Sequence, residues 1–535
     1  MRPMRTTSLF FAASILLSSS AAFAVDADPS NYKTILPTLK PGDTLNLAPG
    51  TYTSGLNITN LNGSEGAWIT IAGPASGPPA VFEGNACCNT VEITGSSYVV
   101  VRGITVDGKQ IPGVFGVSAK GGLKNVVHHI TIEGCTFVGQ GGSQQTVGIS
   151  TKTPTSSWII RQNVIDGAGT GIYLGNSTYA DPFVDGLIEN NLIKNTIGYN
   201  MQIKSQDPWP DHAAMPAGAT KTIIRDNVFI KNDAPSPDGN RPNVFVGAFP
   251  DSGPGAGSMV EMYGNVFVHN VPESLLQATG SLSIHDNIFV DAGDMAVNLR
   301  AHDGFPLKIA HVYNNTIYSA KRGVVLGTEA TEESIVLGNL IFAGTPIEGT
   351  IGSMSDNIGE SVESAPMFVA KPSTSFGEMD FYPIAGKAEG APLDLSAFSA
   401  ETDHACDFNG MSKGDKSFRG AYAGAGANPG WKIAPGIKPL GLSCAGGGGA
   451  GGAGGAGGSG PGGSGGAASG GAGGAGGEGT GGSDGGEGGE EGSCGCRVAG
   501  QGGSGWSLAG LGALVAGIAC RRGRGRGRRA SKEPN

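Results

Sequence analysis

Three cations end or flank short apolar segments in the middle of this 535-residue chain. Lys204 closes Asn200-Met-Gln-Ile-Lys204, Arg300 closes Ala296-Val-Asn-Leu-Arg300, and Arg241 stands just ahead of Asn243-Val-Phe-Val246. Gly171-Ile-Tyr-Leu174 and Gly323-Val-Val-Leu326 share the pattern. As strands, these segments alternate their side chains. Ile172, Leu174, Met201, Ile203, Val244, Val246, Val297 and Leu299 then face inward, while Tyr173, Asn200, Gln202, Lys204, Asn243, Phe245, Asn298 and Arg300 face solvent. Neighbouring loops add Trp209 and His212. Aromatic rings, amides and cations along one strip suit a sugar chain that carries acidic groups. Proton abstraction beside a uronate carboxylate needs a base, charge stabilisation and a proton donor, and Lys204 with Arg241 or Arg300 are the candidates here for part of that set.

An internal repeat dictates how such strands are positioned. It consists of a short apolar strand, an asparagine and a second apolar strand. It runs Ile160-Arg-Gln-Asn163-Val-Ile, Ile188-Glu-Asn-Asn191-Leu-Ile, Ile224-Arg-Asp-Asn227-Val-Phe and Met262-Tyr-Gly-Asn265-Val-Phe, then continues through Asn287, Asn315 and Asn339. Cys135 takes the same place one unit earlier. The spacings are 28, 28, 36, 38, 22, 28 and 24 residues, which fits one base coil lengthened by loop insertions. No helical period intervenes, so the repeat excludes a βαβ sheet and predicts an all-β, right-handed, single-stranded parallel β-helix. Asparagine tolerates the left-handed backbone of a sharp corner, and its amide can hydrogen-bond from coil to coil. Stacking seven of them predicts a single column.

The ends of the body carry a family resemblance. Leu39-Lys-Pro-Gly-Asp-Thr-Leu-Asn-Leu-Ala-Pro-Gly-Thr-Tyr52, Trp68-Ile-Thr-Ile-Ala-Gly73 and Tyr98-Val-Val-Val-Arg-Gly-Ile-Thr-Val106 resemble the opening of pectate-lyase-like, alginate-lyase and chondroitinase-B-like chains. Asp407-Phe-Asn-Gly410 and Arg419-Gly-Ala-Tyr422 are similar to the closing segment of bacterial surface β-helix proteins. The resemblance spans residues 31–422 and implies the fold. In alginate-lyase-like members a strand Lys, an Arg on a following strand and an upstream calcium held by carboxylates act together. Lys204-Ser205 resembles that Lys position, but Ile197-Gly-Tyr-Asn-Met-Gln202 brings no carboxylate for calcium, and Asn243–Ala248 has no Arg. Calcium therefore enters by resemblance alone, with no ligands identified. The paired Asp-Asp and His-Gly motifs of polygalacturonase-like hydrolases are missing.

The remaining segments concern transport. Arg2 and Arg5, an apolar run from Leu9 to Leu17 and Ala22-Phe23-Ala24 form a secretory signal over residues 1–24, with cleavage after Ala24. The β-helix should occupy 25–370 and its closing segment 371–444. Residues 445–492 hold 29 glycines in 48 positions and read as a flexible linker. Residues 493–535 combine Cys494 and Cys496, an apolar run over 506–520 and an Arg-rich end at 521–529. This tripartite segment resembles the myxobacterial C-terminal sorting tag, which implies a sorting protease, membrane contact through the tail and display at the cell surface or outer membrane.

Between residues 25 and 444 there are 25 Lys and Arg against 39 Asp and Glu, which excludes a nucleic-acid partner. No cysteine pair has the spacing and His partners of a zinc site, and Cys406–Cys444 is the favoured disulfide of an exported chain. The sequence thus leads to an exported, monomeric β-helix that binds extracellular polysaccharide without catalysis. A divergent lyase and a structural coat protein are the alternatives.

Overall fold

The computed structural model describes residues 23–439, all within one compact unit. Its coils form three parallel sheets of 15, 12 and 11 strands, each complete coil contributing to all three, and Val369–Lys371 pairs antiparallel with Asp380–Pro383 after the last coil. Sheet 1 runs from Ala24–Ala27 to Ser353–Ser355, sheet 2 from Gly50–Tyr52 to Ile358–Glu360, and sheet 3 from Leu56–Thr59 to Thr345–Gly349. This is the parallel β-helix that the repeat predicts.

Alternation fills the interior in columns. In sheet 3, Ile172 pairs with Met201, Val244, Leu276, Val297 and Val324 on successive coils. The neighbouring column holds Leu174, Ile203, Val246, Ala278, Leu299 and Leu326. All are buried, which contributes about 1.5–3 kcal/mol for each of the larger aliphatic side chains. Sheet 2 adds a stack of rings, with centroids 5.1 Å apart from Phe229 to Phe267 and 4.6 Å from Phe267 to Phe289.

The corner between sheets 1 and 2 holds the asparagine ladder. Each Nδ2 donates to the Oδ1 of the next coil's asparagine at 2.9–3.0 Å, from Asn163 through Asn191, Asn227, Asn265, Asn287, Asn315 and Asn339 to Asn357. The same Oδ1 also accepts the preceding corner's backbone N–H, and Nδ2 donates again to a strand carbonyl, as Asn227 does to Ile188 at 2.8 Å. Cys135 begins the column, its N–H donating to Asn163 Oδ1 at 3.0 Å. One expectation is corrected: the left-handed residue is not the ladder asparagine. It is the residue before it: Gln162, Asn190, Asp226, Gly264, Asp286, Asn314 and Gly338 all have φ between 50° and 67°. The preceding residue turns the chain, which leaves the asparagine free to point inward. At Gly264 a Cβ would stand 2.4 Å from Asp226 Oδ1 and 3.2 Å from Lys438 Nζ, so a side chain there would have to displace that ion pair.

Sheet 2 is covered on its outer side as well. After the last coil the chain returns along the helix, and Phe381, Tyr382, Phe408, Tyr422 and Ile433 pack on outward residues such as Val228, Val266 and Val290. Charged groups pin this strap. Arg419 meets Asp356 at 2.6 Å, Lys413 meets Asp286 at 2.7 Å, and buried Lys438 meets Asp226 at 2.6 Å. Glu401 lies among Ser283, His311 and Tyr313, accepting from Tyr313 at 2.9 Å and facing His311 Nδ1 at 2.5 Å. Ala24 opens the first strand of sheet 1; Cys444, the linker, Cys494, Cys496 and the tail lie outside the described residues.

Candidate functional site

Sheet 3 and the loops at its two edges place every candidate. Its outward column runs Tyr173, Gln202, Phe245, Gln277, Asn298, Val325. The coil of Leu276–Ala278 joins the sheet between the strands of Phe245 and Asn298, although its sequence did not single it out. Much of this face is sealed rather than solvated. Gln202, Phe245 and Asn298 are buried, and Asn200 is fully so, its amide donating to Asn243 Oδ1 at 2.6 Å and accepting from Thr196. Trp209 is also buried, with Nε1 bonded to Gln206 at 2.9 Å and its ring against Phe249, so it is a core residue and not a sugar platform. His212 belongs elsewhere. Its loop crosses to sheet 1, where Ser156 donates to Ala214 O. The His302 turn packs on Phe245 and the amides of Asn200 and Asn243 bond to each other, so alternation alone overstated the exposure of this face.

One register position further along, beyond the strand ends, the face opens at Lys152, Arg300 and Gly327 and in part at Lys204. Backbone bonds tie Lys204 to Leu174, Gly247 to Ile203, Thr279 to Val246, Arg300 to Ala278 and Gly327 to Leu299, so Lys204, Gly247, Thr279, Arg300 and Gly327 form one column. Gly175 precedes Lys204 in it, and Lys152 precedes Gly175, following the strand paired with Ile172–Leu174. Lys120 ends the strand one coil earlier and is paired with Glu92. From Lys152 onward the cations are separated by small residues, Gly175 before Lys204, then Gly247 and Thr279 before Arg300. Side chains at Gly175 or Gly327 would bring a Cβ within 3.3 Å of the Cβ of Lys204 or Arg300, so the glycines keep the cations' stems clear. Lys152 lies 4.9 Å from the centre of the Tyr173 ring and 5.3 Å from that of Phe115; Lys204 lies 5.8 Å from that of Tyr173.

The cations do not all meet. Arg241 sits at the opposite end of its strand, over the Tyr199 ring at 5.9 Å, and its guanidinium donates to the carbonyls of Asn240 and Asp238. Beside it Lys231 is buried, its ammonium donating to Gly198 O at 2.6 Å, and burial reinforced by Arg241 pulls its pKa down to about 8 against Glu273. Arg241 therefore belongs to a separate turn from Lys204. Arg300 and Lys204, by contrast, both act on one group, His302. That residue was not singled out in the sequence, although it lies two positions after Arg300 in Ala301-His-Asp-Gly-Phe305, a tight-turn motif. Mutual backbone bonds of 3.0 and 2.9 Å between His302 and Phe305 close the turn. The imidazole packs 4.9 Å from Phe245, and Phe305 packs 5.1 Å from Tyr179 on the loop beyond Tyr173. Burial lowers the His302 pKa; Asp303, 3.1 Å away, opposes this, while Arg300 and Lys204 add to it.

A calcium ion does not fit here. The rung carrying Lys204 presents Asn200 and Gln202, both buried amides, and among the described residues no group of three His, Cys, Asp or Glu side chains is arranged to hold a metal. The site offers a line of cations, flanking aromatic rings and one neutral imidazole. Such an arrangement attracts anions spread along a chain and gives sugar rings a surface on which to lie.

No protein-family model matches the chain, and no curated sequence is significantly similar to it. Solved structures of similar architecture include the Azotobacter vinelandii mannuronan C-5 epimerase AlgE6 A-module, at 15% identity and a TM-score of 0.40 over 59% of this chain and 91% of that one. Pectate lyase Pel9A is 14% identical, with a TM-score of 0.38 over 69% of this chain and 91% of its own. The PL6 family alginate lyase AlyGC is 16% identical with a TM-score of 0.38, and the match spans 63% of this chain but about half, 51%, of the enzyme. Likeness at this level is one of fold, the wound parallel sheets already described.

Proposed function

We propose that this protein binds an acidic extracellular polysaccharide along the column of strand-end cations on sheet 3, without chemically altering it. The observation that carries this reading is the register of Lys152, Lys204 and Arg300 in one line on a body that is otherwise strongly acidic. Lys204 and Arg300 are three coils apart, roughly 14 Å at ~4.8 Å per coil. That separation suits contacts to separate carboxylates of one chain lying along the helix axis, with Tyr173 beneath a sugar ring. Retention of residues 25–444 on immobilised alginate, pectate and glycosaminoglycans tests it. Lys204→Ala and Arg300→Ala should each weaken retention, and equal retention of the variants sinks the reading.

A second reading draws on His302, whose charged form both Lys204 and Arg300 disfavour and whose ring packs on Phe245 between their strands. Two cations and a neutral imidazole could support β-elimination, in which a base removes the proton beside the carboxylate and the glycosidic oxygen leaves. The checking measurement is ultraviolet absorbance of the 4,5-unsaturated product. Lys204→Ala would abolish product yet keep affinity if the site is a lyase. Binding by neither protein leaves a structural coat.

Display at the cell surface completes the proposal. The signal up to Ala24, the glycine linker, Cys494 and Cys496, and the arginine cluster support export followed by processing, with the body acting as a monomer. Replacing both tail cysteines with Ser should abolish surface labelling of intact cells, and unchanged labelling would overturn the sorting-tag reading.

A further inference from the structure

We propose that His302 is a proton-operated third contact of the polyanion site, so that the protein holds its glycan more tightly in mildly acidic surroundings than at neutral pH. This rests on the polyanion-binding reading above and specifies how that site is regulated. The placement of the ring carries the inference. His302 is half-buried at the head of a two-residue turn, held by reciprocal backbone bonds to Phe305, and the preceding Ala301 N–H donates to Thr328 Oγ1 at 2.7 Å. Its ring rests against Phe245, the aromatic residue of the outward column between Lys204 and Arg300. The far end of the turn is fixed by Phe305 against Tyr179. The imidazole is therefore held over Phe245, beside the line of cations, and is not a loosely tethered surface group.

The charged groups that act on it are few. Asp303 lies 3.1 Å from Nδ1 and favours the charged ring, whereas Arg300 and Lys204 oppose it, as does burial, the largest influence. The strand of Phe245 contributes no titratable side chain. With the site empty, the ring is neutral at neutral pH. A bound polyanion would screen Arg300 and Lys204 and offer negative charge of its own. Both changes favour the imidazolium, so by linkage acidification favours the bound state. The same proton that costs energy in the empty site becomes an added attraction in the occupied one.

The test uses a sulfated glycan such as dextran sulfate, whose own charge does not titrate in the range examined. Affinity of residues 25–444 for it should be measured between pH 5 and 8, at fixed ionic strength, for the parent protein, His302→Gln and Lys204→Ala. The parent should bind more tightly at pH 5 by about two- to fivefold beyond the drift shown by His302→Gln, the range of one partly exposed charge pair. The ratio of the two affinities should shrink from pH 5 to pH 8 as the parent's ring loses its proton, and matching thermal unfolding curves show that the variant is folded. Lys204→Ala should bind more weakly at every pH and keep its acid enhancement. Parallel pH profiles for the parent and His302→Gln would overturn the inference while leaving the binding site standing. Failure of all three proteins to bind would instead remove the reading on which it rests.

Discussion

The β-helix carries two columns that are built alike and do opposite things. Both place one residue per coil at a corner, one between sheets 1 and 2 and the other at the ends of the sheet 3 strands. The first holds asparagine on eight successive coils and is buried on the first seven. The second holds Lys152, Lys204 and Arg300 separated by glycine or threonine, and it is open to solvent at Lys152 and Arg300. An amide is both donor and acceptor, so a stack of amides satisfies itself and can be sealed from water. Ammonium and guanidinium groups only donate, and like charges repel, so such a row turns to acceptors outside its own column. Side-chain chemistry, not backbone geometry, decides which column holds the fold together and which can meet a ligand.

Mutations can break that contrast. The largest effect is expected where the two columns are exchanged. Asn227→Lys buries a charge among amides and should cost ~3–5 kcal/mol, read as a loss of folded protein in urea titration. Asn227→Ala removes the acceptor of the Asn191 backbone and side-chain amides and the donor to Ile188 O. Its expected cost is ~2–4 kcal/mol, because several buried partners lose their bonds together. Lys204→Ala should leave the same urea midpoint within ~0.5 kcal/mol, yet reduce glycan retention by ~1 kcal/mol. Equal destabilisation by the Asn227 and Lys204 substitutions would erase the distinction.

A smaller effect sharpens it, at a third place where donors and acceptors are both ionised. Burial works against a charged His311, but the carboxylates of Glu401 and Glu333 outweigh it, and the His311 pKa is raised. Glu401 moves the other way: burial raises its pKa, but bonds from His311 and Ser283 prevail and lower it. The His311 contribution is fully present below its unfolded value of 6.5 and is lost as pH rises through the higher folded value. The Glu401 contribution is present above its unfolded value of 4.5 and is lost as pH falls through the lower folded value. Strap docking should therefore be firmest between about pH 4.5 and 6.5, and Tm should decline on the alkaline side. Glu401→Gln should flatten that decline.

The fold was legible because its signal repeats. Asparagine at one place in each unit fixed both the architecture and the register, and every inward residue expected in sheet 3 is buried. The left-handed corner residue was misplaced by one position because it varies among Gln, Asn, Asp and Gly, whereas the asparagine beside it does not. The site was legible only in part. Lys204 and Arg300 follow from strand periodicity, but the burial of Gln202, Phe245, Asn298 and Trp209 depends on how nonrepeating insertions fold back. His302 lies in such an insertion, where period-two reasoning has no purchase.

The strap has a mechanical consequence. A solenoid that simply stopped at its last coil would open from that coil outward, one rung at a time. Here the described chain ends beside Lys438, whose ammonium is held by Asp226 Oδ1 at 2.6 Å, Gly264 O at 2.9 Å and Phe408 O at 2.8 Å. A force applied at residue 439 is delivered first to the coils of Asp226 and Gly264, in the middle of the stack. The final coils lie under the segment that transmits the load and are not its first point of failure. Stretching a single molecule from that end should thus give one large rupture instead of a staircase of small ones.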